Sequence, residues 1–412
     1  MPSHIVIIGG GIVGVSTGIW LLRAGAKVTL IDRLGWGQGT SHGNAGVLAA
    51  CSMVPVTGPG LIAKAPGMLL DPQFPLFMRW GYLPRLMPWL AKYLSHANVS
   101  DTKRIAAGLG PIVTDSVEQH KSLAAGTKAA EWITESDYTY AYSSRAAFDA
   151  DRFGWDLRAE HGFEPKLYSG AEVQEREPAL SSEIGLLATV NNHGFIKDPG
   201  RYVAALGDVF QDLGGELVIA DVTDIDLSDG KVSAVQTTQG RIACDALVLA
   251  TGVWSKPLMK KLGLNVPLES ERGYHIIFKG AKGGPSHPMM IASGKFVATP
   301  MAEGLRCAGI VEFGGLERGP SKAPFALLRR QTKAAFPDLT WEDEVEWQGH
   351  RPAPADSLPL IGEVATTGVF AGFGHHHIGL TAGPKTGRLL AQLILGKQPN
   401  LDLTAYAPKR FA

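Results

Sequence analysis

The stretch His4-Ile5-Val6-Ile7-Ile8-Gly9-Gly10-Gly11-Ile12-Val13-Gly14 runs into a helix-like segment ending near Ala24, and Lys27-Val28-Thr29-Leu30-Ile31-Asp32 follows it. Gly25 stands where a left-handed helix cap is favoured, and the second apolar run stops at an acid. This is a βαβ unit with the dinucleotide-binding glycine spacing. Gly9 permits the tight turn, Gly11 lets backbone approach a pyrophosphate, and Gly14 lets helix and strand pack closely. The pyrophosphate would sit at the helix N-terminus, beside Ile12 and Val13, where unpaired N–H groups and the helix dipole favour an anion. Asp32, with Arg33 next to it, would accept hydrogen bonds from a ribose 2′-hydroxyl, and its charge would disfavour a 2′-phosphate.

Working outward, 412 residues suffice for a large core and two domains. With 39 basic and 39 acidic residues the formal charge is zero, which leaves no electrostatic footprint for nucleic acid or for an anionic membrane. Cys51, Cys244 and Cys307 are far apart, a sparse odd set that argues for a reducing compartment and against a disulfide or zinc framework. The short apolar start leads into the glycine turn without a cleavage-like site, and no uncharged run approaches the ~20 residues of a spanning helix. A cytoplasmic protein is expected, with any membrane contact peripheral and at the inner face. The one segment that invites such contact is Phe74–Tyr93, aromatic, broken by prolines and carrying Arg79, Arg85 and Lys92.

Further along, the loop from Gly35 to Gly46 is glycine-rich with small hydroxyls, suited to lie against a flat ligand rather than to fill a core. Prolines 66, 72, 75, 84 and 88 forbid one long helix over 61–94, and 105–134 reads as a helical segment or two. A helix from Asp198 through Phe210, strands at Glu216–Ala220, Val232–Thr237 and Ala246–Ala250, and the turn at Gly252 restore the βαβ pattern. Residues 267–347 read as β-rich. A last strand, Val369–Ala371, meets a glycine turn and a helix to about Leu395. The expected fold class is α/β. A Rossmann-like domain is assembled from 1–50, 195–266 and 346–412, and a second, substrate-binding domain with a mixed or antiparallel sheet from 51–194 and 267–345. A nucleotide domain revisited three times suits a ligand lying across the strand ends, which favours FAD over NAD.

Taken in order, Gly9–Gly14 with Asp32, Thr40-Ser41-x-x-Asn44-Ala45-Gly46, Ala250-Thr251-Gly252-Val253-Trp254-Ser255, Glu271-Arg272-Gly273-Tyr274-His275, Arg351-Pro352-x-x-x-Asp356-Ser357-Leu358-Pro359-x-Ile361-Gly362 and the Gly372–Thr381 turn carry a likeness. Over essentially its whole length the chain resembles the D-amino-acid oxidase/glycine oxidase superfamily of FAD-dependent oxidoreductases, and within it the bacterial D-amino-acid dehydrogenases. The resemblance implies that Thr40 and Ser41 hold the pyrophosphate region and that Asn44, Ala45, Gly46, Val47 and Leu48 lie along the isoalloxazine ring. Val222 would present backbone to the adenine. Thr251 and Gly252, with Trp254 after them, would pass close to the pyrophosphate or ribityl chain. Gly379, Leu380 and Thr381, at a helix start, would turn N–H groups toward the flavin, which favours the anionic reduced form.

The same resemblance implies an enzyme, an oxidoreductase that deaminates a D-amino or cyclic imino acid by hydride transfer from Cα to flavin N5. Arg351 would clamp the substrate carboxylate, Tyr274 would add a hydroxyl, and His377 would face the pocket. Consecutive histidines cannot converge on one ion as i,i+4 residues can, so His375-His376-His377 is not read as a metal site. FAD is expected to be non-covalent. Polar groups beyond the clamp suggest a hydroxylated D-proline as substrate. Electrons would pass to quinone or another acceptor. Two alternatives stand beside this reading: a glycine/sarcosine-type amine oxidase using O2, and an FAD-holding subunit that works with a partner subunit in a hetero-oligomeric amine dehydrogenase.

Overall fold

In the computed structural model, which describes residues 2–412, the strand His4–Ile8 runs through the middle of a six-stranded sheet. Ile5, Val6, Ile7 and Ile8 are all buried, and a strand covered on both faces reads as a continuous apolar run. Burying each such side chain is worth about 1.5–3 kcal/mol, so this strand anchors the domain. Its parallel neighbours are Lys27–Asp32 and Ala246–Leu249. Beyond them lie Glu216–Ile219 on one side, and Val369–Phe373 with the antiparallel edge Leu360–Glu363 on the other. One face packs Ile5, Ile7, Val28 and Leu30 against the helices Ile12–Arg23, Pro199–Asp212 and Gly379–Ile394. The other packs Val6, Ile8 and Ile31 against Leu258, Met259 and Val266. A three-stranded antiparallel sheet, Val222–Ser228, Lys231–Thr237 and Gly240–Ala243, follows the edge strand Glu216–Ile219 in the chain.

The second sheet has ten strands, mostly antiparallel. Val47–Leu48 pairs with Phe195 and Gly194, so the chain passes directly from the nucleotide turn into this sheet. Leu268–Lys279 lies between Gly304–Phe313 and Asp343–Pro354, in a register that sets Glu271 opposite Arg351.

Several expectations are corrected in detail. The helical stretch begins at Val99, where the Asn98 side chain accepts from the Asp101 N–H at 2.9 Å, and is divided into Val99–Val113 and Ser116–Ala124. Gly126 interrupts it with a left-handed turn (φ 72°), after which a short 3-10 helix, Lys128–Trp132, leads into the strand Ile133–Tyr142. The β-rich stretch contains a helix, Lys322–Ala335, whose Phe325, Leu328 and Thr332 recur at helical spacing and are buried. Over 61–94 the prolines leave two short helices, Leu61–Leu70 and Leu83–Ser95. The aromatic stretch divides between core and surface. Trp89 and Tyr93 are buried and stacked at 4.6 Å, while Trp80 is 60% exposed. Among the described residues no helix is long and apolar enough to cross a membrane.

Candidate active site and cofactor cleft

The carboxyl ends of the parallel strands open into a cleft of about 760 Å³, within the size range of small-molecule sites. The strand order spreads its lining from Asp32 and Ala220–Thr223, past Ile8–Val13 and Ala250–Gly252, to Gly372–His376.

At its centre only glycine fits two positions. Gly9 has φ 113°, and a Cβ there would lie 2.5 Å from the Ala250 carbonyl oxygen; a Cβ on Gly14 would lie 1.9 Å from that of Gly9. The helix that follows has no acidic residue in its first turn and no side-chain cap from Gly11. Its N-terminus therefore keeps its affinity for an anion. The Ile12 N–H donates to Ser41 Oγ at 3.1 Å, which ties the glycine-rich loop to this end. Asp32 accepts from the N–H groups of Gly10 (2.7 Å), Leu34 (2.8 Å) and Gly35 (3.0 Å). It thus organises the turn as well as facing the cleft. Arg33 stacks on Trp254 at 4.4 Å, Thr40 Oγ1 donates to the His350 carbonyl at 2.7 Å, and Val222 and Gly252 complete the lining. Thr251 Oγ1 is 2.8 Å from Ser255 Oγ. A glycine cradle that a Cβ would fill, a helix start with no acidic residue in its first turn and a long cleft together fit a dinucleotide.

Toward the other sheet, Asn44 Oδ1 accepts from the Gly46 N–H at 2.9 Å, and its amide reaches the His377 carbonyl at 3.4 Å. The Asn44 carbonyl takes a bond from buried Arg306 at 2.7 Å. Gly46 is left-handed (φ 80°), and Ala45 packs against the cluster that holds Val47. Thr381 Oγ1 donates to the Val47 carbonyl at 3.2 Å, joining the last helix to the Val47–Leu48 strand. Gly379 and Leu380 line the cleft, whereas Gly14, Ala45, Gly46, Val47, Leu48 and Thr381 sit behind its surface.

The three residues read as catalytic divide. Arg351 lies across Gly273 of the neighbouring strand, where a Cβ would come 2.7 Å from its guanidinium carbon. Its one hydrogen bond among the described residues goes to the Ile310 carbonyl at 3.3 Å, and no carboxylate stands within ion-pair distance. Burial pushes its proton affinity down, and nearby Glu271 opposes this. The expectation that His377 faces the pocket is corrected: His375 and His376 line the cleft and His377 does not, being exposed, with a ring that makes no hydrogen bond among the described residues. Loss of solvation, then the charges of His376 and Arg351, hold it neutral, down to about 4.

Tyr274 is corrected. Strand side chains alternate between faces, so Tyr274 projects opposite to Gly273, on whose face Arg351 lies. Its hydroxyl donates to Glu312 at 2.6 Å and accepts from the Ser321 N–H at 3.1 Å, its ring packs on Phe325, and it is buried. Glu312 also pairs with the fully buried Arg272 at 3.0 Å. The hydroxyl is committed to a structural ion-pair network and does not face Arg351.

Sequence reasoning missed Glu271 and His376. Glu271 shares Gly273's face, and its carboxylate is 3.5 Å from His376 Nδ1; the Pro354 carbonyl is 3.1 Å from Nε2. Two acceptors around one imidazole require both nitrogens to carry protons. Burial works against that charge, but Glu271 outweighs it and raises the His376 pKa. His375 instead meets Thr386 Oγ1 at 2.9 Å, so the three rings go three ways. Only the strand register reveals Glu271; no sequence signal identifies which histidine turns inward.

Residues 4–393 match the family model described as DAO, FAD-dependent oxidoreductase. The chain is 40% identical, over all of both chains, to a D-amino-acid oxidase of Bradyrhizobium diazoefficiens. It is 31% identical, over 99% of each, to D-amino acid dehydrogenase 2 of Pseudomonas aeruginosa. Its fold is similar to that of glycine oxidase from Geobacillus kaustophilus, with a TM-score of 0.76, 21% identity, and coverage of 100% of this chain and 99% of that one.

Proposed function

The chain belongs to the DAO family of FAD-dependent oxidoreductases, and from that premise we propose that it oxidises a D-amino or cyclic imino acid at the carbon bearing the amine. One observation carries this reading: the guanidinium of Arg351, between the cleft-lining His350 and Pro352 in the chain, is laid flat over Gly273 with no carboxylate paired to it. A planar fork of donors fits a substrate carboxylate bidentately and fixes the position of Cα. FAD, when bound, would supply a two-electron acceptor.

The chain's own residues do the rest. Gly9, Gly11 and Asp32, with Gly14 packed beneath them, would hold the adenosine diphosphate half in a domain built from 1–50, 195–266 and 346–412, and the first turn of Gly379–Ile394 would border the ring. Arg351 orients the substrate. His377, neutral and without a ring partner, accepts a hydrogen bond from the substrate amine or from a ring hydroxyl. That second option supports a hydroxylated D-proline as the preferred substrate. Glu271 holds the cleft-lining His376 charged and offsets that charge. Non-covalent attachment is supported by the three cysteines, which are buried and away from the cleft lining. Quinone or another acceptor takes the electrons in our reading; an oxidase passing them to O2 is the second reading, favoured by the similarity to the Bradyrhizobium oxidase.

The test is anaerobic titration of the purified yellow protein with D- and L-amino acids, following loss of flavin absorbance. Bleaching by D-acids, strongest with a D-proline derivative, is the expected result. No bleaching by any of them, with FAD bound, would overturn the substrate class. Reoxidation by O2 against a quinone analogue separates the two acceptors.

A further inference from the structure

The helix Gly379–Ile394 contains Pro384 in its second turn. A proline has no N–H, so the carbonyl four residues earlier, that of Leu380, loses its helical donor. A buried carbonyl left without a partner is costly. In this structure a side chain from elsewhere replaces the missing donor. His120, on the helix Ser116–Ala124 and fully buried, brings Nε2 to 2.9 Å from the Leu380 carbonyl oxygen. Its Nδ1 is 2.8 Å from the hydroxyl of Tyr202, on the helix Pro199–Asp212. A carbonyl only accepts, which assigns the proton to Nε2 and leaves Nδ1 to accept from Tyr202. Burial keeps the ring neutral, as that tautomer requires.

Leu380 lines the cleft. Its carbonyl and the Thr381 N–H belong to one planar trans peptide and point in opposite directions. Holding the carbonyl toward His120 therefore aims the Thr381 N–H the other way, out of the helix start. On the far side Thr381 Oγ1 is tied to Val47. We infer that His120 is a positioning residue that aims the cofactor-facing turn of the last helix, through the one carbonyl in that turn that Pro384 leaves without a helical donor. This rests on the reading that the Gly379–Thr381 turn borders the flavin.

The test compares His120→Gln with His120→Asn in the holoenzyme. The Gln amide nitrogen reaches the position of Nε2, whereas that of Asn stops near Nδ1. Sulfite binding, read as bleaching of the long-wavelength flavin band, reports the electrostatics at the ring, and FAD affinity and the unfolding temperature are measured alongside. His120→Asn is expected to weaken sulfite binding about tenfold, and His120→Gln to stay within about threefold of the parent, given the cost of one orphaned buried carbonyl. Tyr202→Phe should fall between them in sulfite affinity and unfold at a lower temperature than the parent, because it orphans the buried His120 Nδ1, and it carries the test if the Asn variant does not fold. Equal sulfite affinity in the Gln and Asn variants, or a Tyr202→Phe variant that changes only the unfolding temperature, would overturn the inference. None of these measurements uses an amino acid, so failure of the substrate assignment would show separately.

Discussion

Replacing Gly273 by alanine tests the cradle beneath Arg351. The position lies within a regular strand and does not have positive φ, so alanine can adopt its backbone conformation. The added Cβ would sit 2.7 Å from the guanidinium carbon, 2.8 Å from Nη2 and 3.0 Å from Nε. Carbon contacts are comfortable from about 3.5 Å, so the guanidinium must retreat by about 0.8 Å. A displacement of that order between bound substrate and reacting centre costs about 10²-fold. Gly273→Ala should therefore bind FAD normally, unfold at nearly the parent temperature and lose one to two orders of magnitude, roughly, in kcat/KM for its best D-amino acid. Steady-state kinetics with an artificial acceptor, alongside FAD content and thermal unfolding, make the measurement. Unchanged kcat/KM in a folded, FAD-loaded variant would refute the argument that the flat-lying guanidinium over Gly273 positions the substrate.

Other consequences are separable from this one. Tyr274→Phe should cost about 1–3 kcal/mol of stability in urea unfolding, through loss of the buried bonds to Glu312 and Ser321, yet leave kcat/KM within about twofold. His377→Ala should lower kcat/KM for a hydroxylated D-proline about tenfold and for D-alanine by no more than about threefold; equal losses would remove the histidine from substrate selection. His120 is held near 4 in the fold against 6.5 in the unfolded chain, so between those values the unfolded state binds the extra proton. Stability is then complete above about pH 6.5 and falls as pH drops, by about 2 kcal/mol at pH 5 from this group alone, and His120→Gln should flatten the urea-derived profile by that amount.

The nucleotide half was legible because its signals are local. A buried parallel strand is apolar throughout, the glycines of a tight turn have no substitutes, and the acid closes the second strand within the same short unit. Asp32 adds a role that spacing does not reveal, accepting three backbone N–H groups of its own turn. The second sheet was harder to read, because its strands are defined by partners far away in the chain. That Glu271 faces His376 while Tyr274 faces Glu312 follows from pleat and register, not from the motif containing both. The helix Lys322–Ala335 was overlooked amid strand-like alternation on either side. His120 lay within a stretch read simply as helical, and nothing in its neighbourhood signals the proline, more than two hundred residues away, whose missing N–H it replaces.

The order of strands also shapes how the protein comes into being. His4–Ile8 is made well before its neighbour: one edge of it stays open until Ala246–Leu249 has been synthesised, and the helix beside it is fully covered only when Gly379–Ile394 emerges. For most of translation the apolar faces of Ile5, Ile7 and Ile12 have nothing lasting to rest on. Contacts so distant in sequence close slowly, and such intermediates are prone to aggregate. Loss of the helix Gly379–Ile394 would therefore do more than remove one wall of the cleft: it would leave the first strand and helix of the nucleotide sheet stranded, a nascent protein in need of a chaperone rather than an enzyme with a defect.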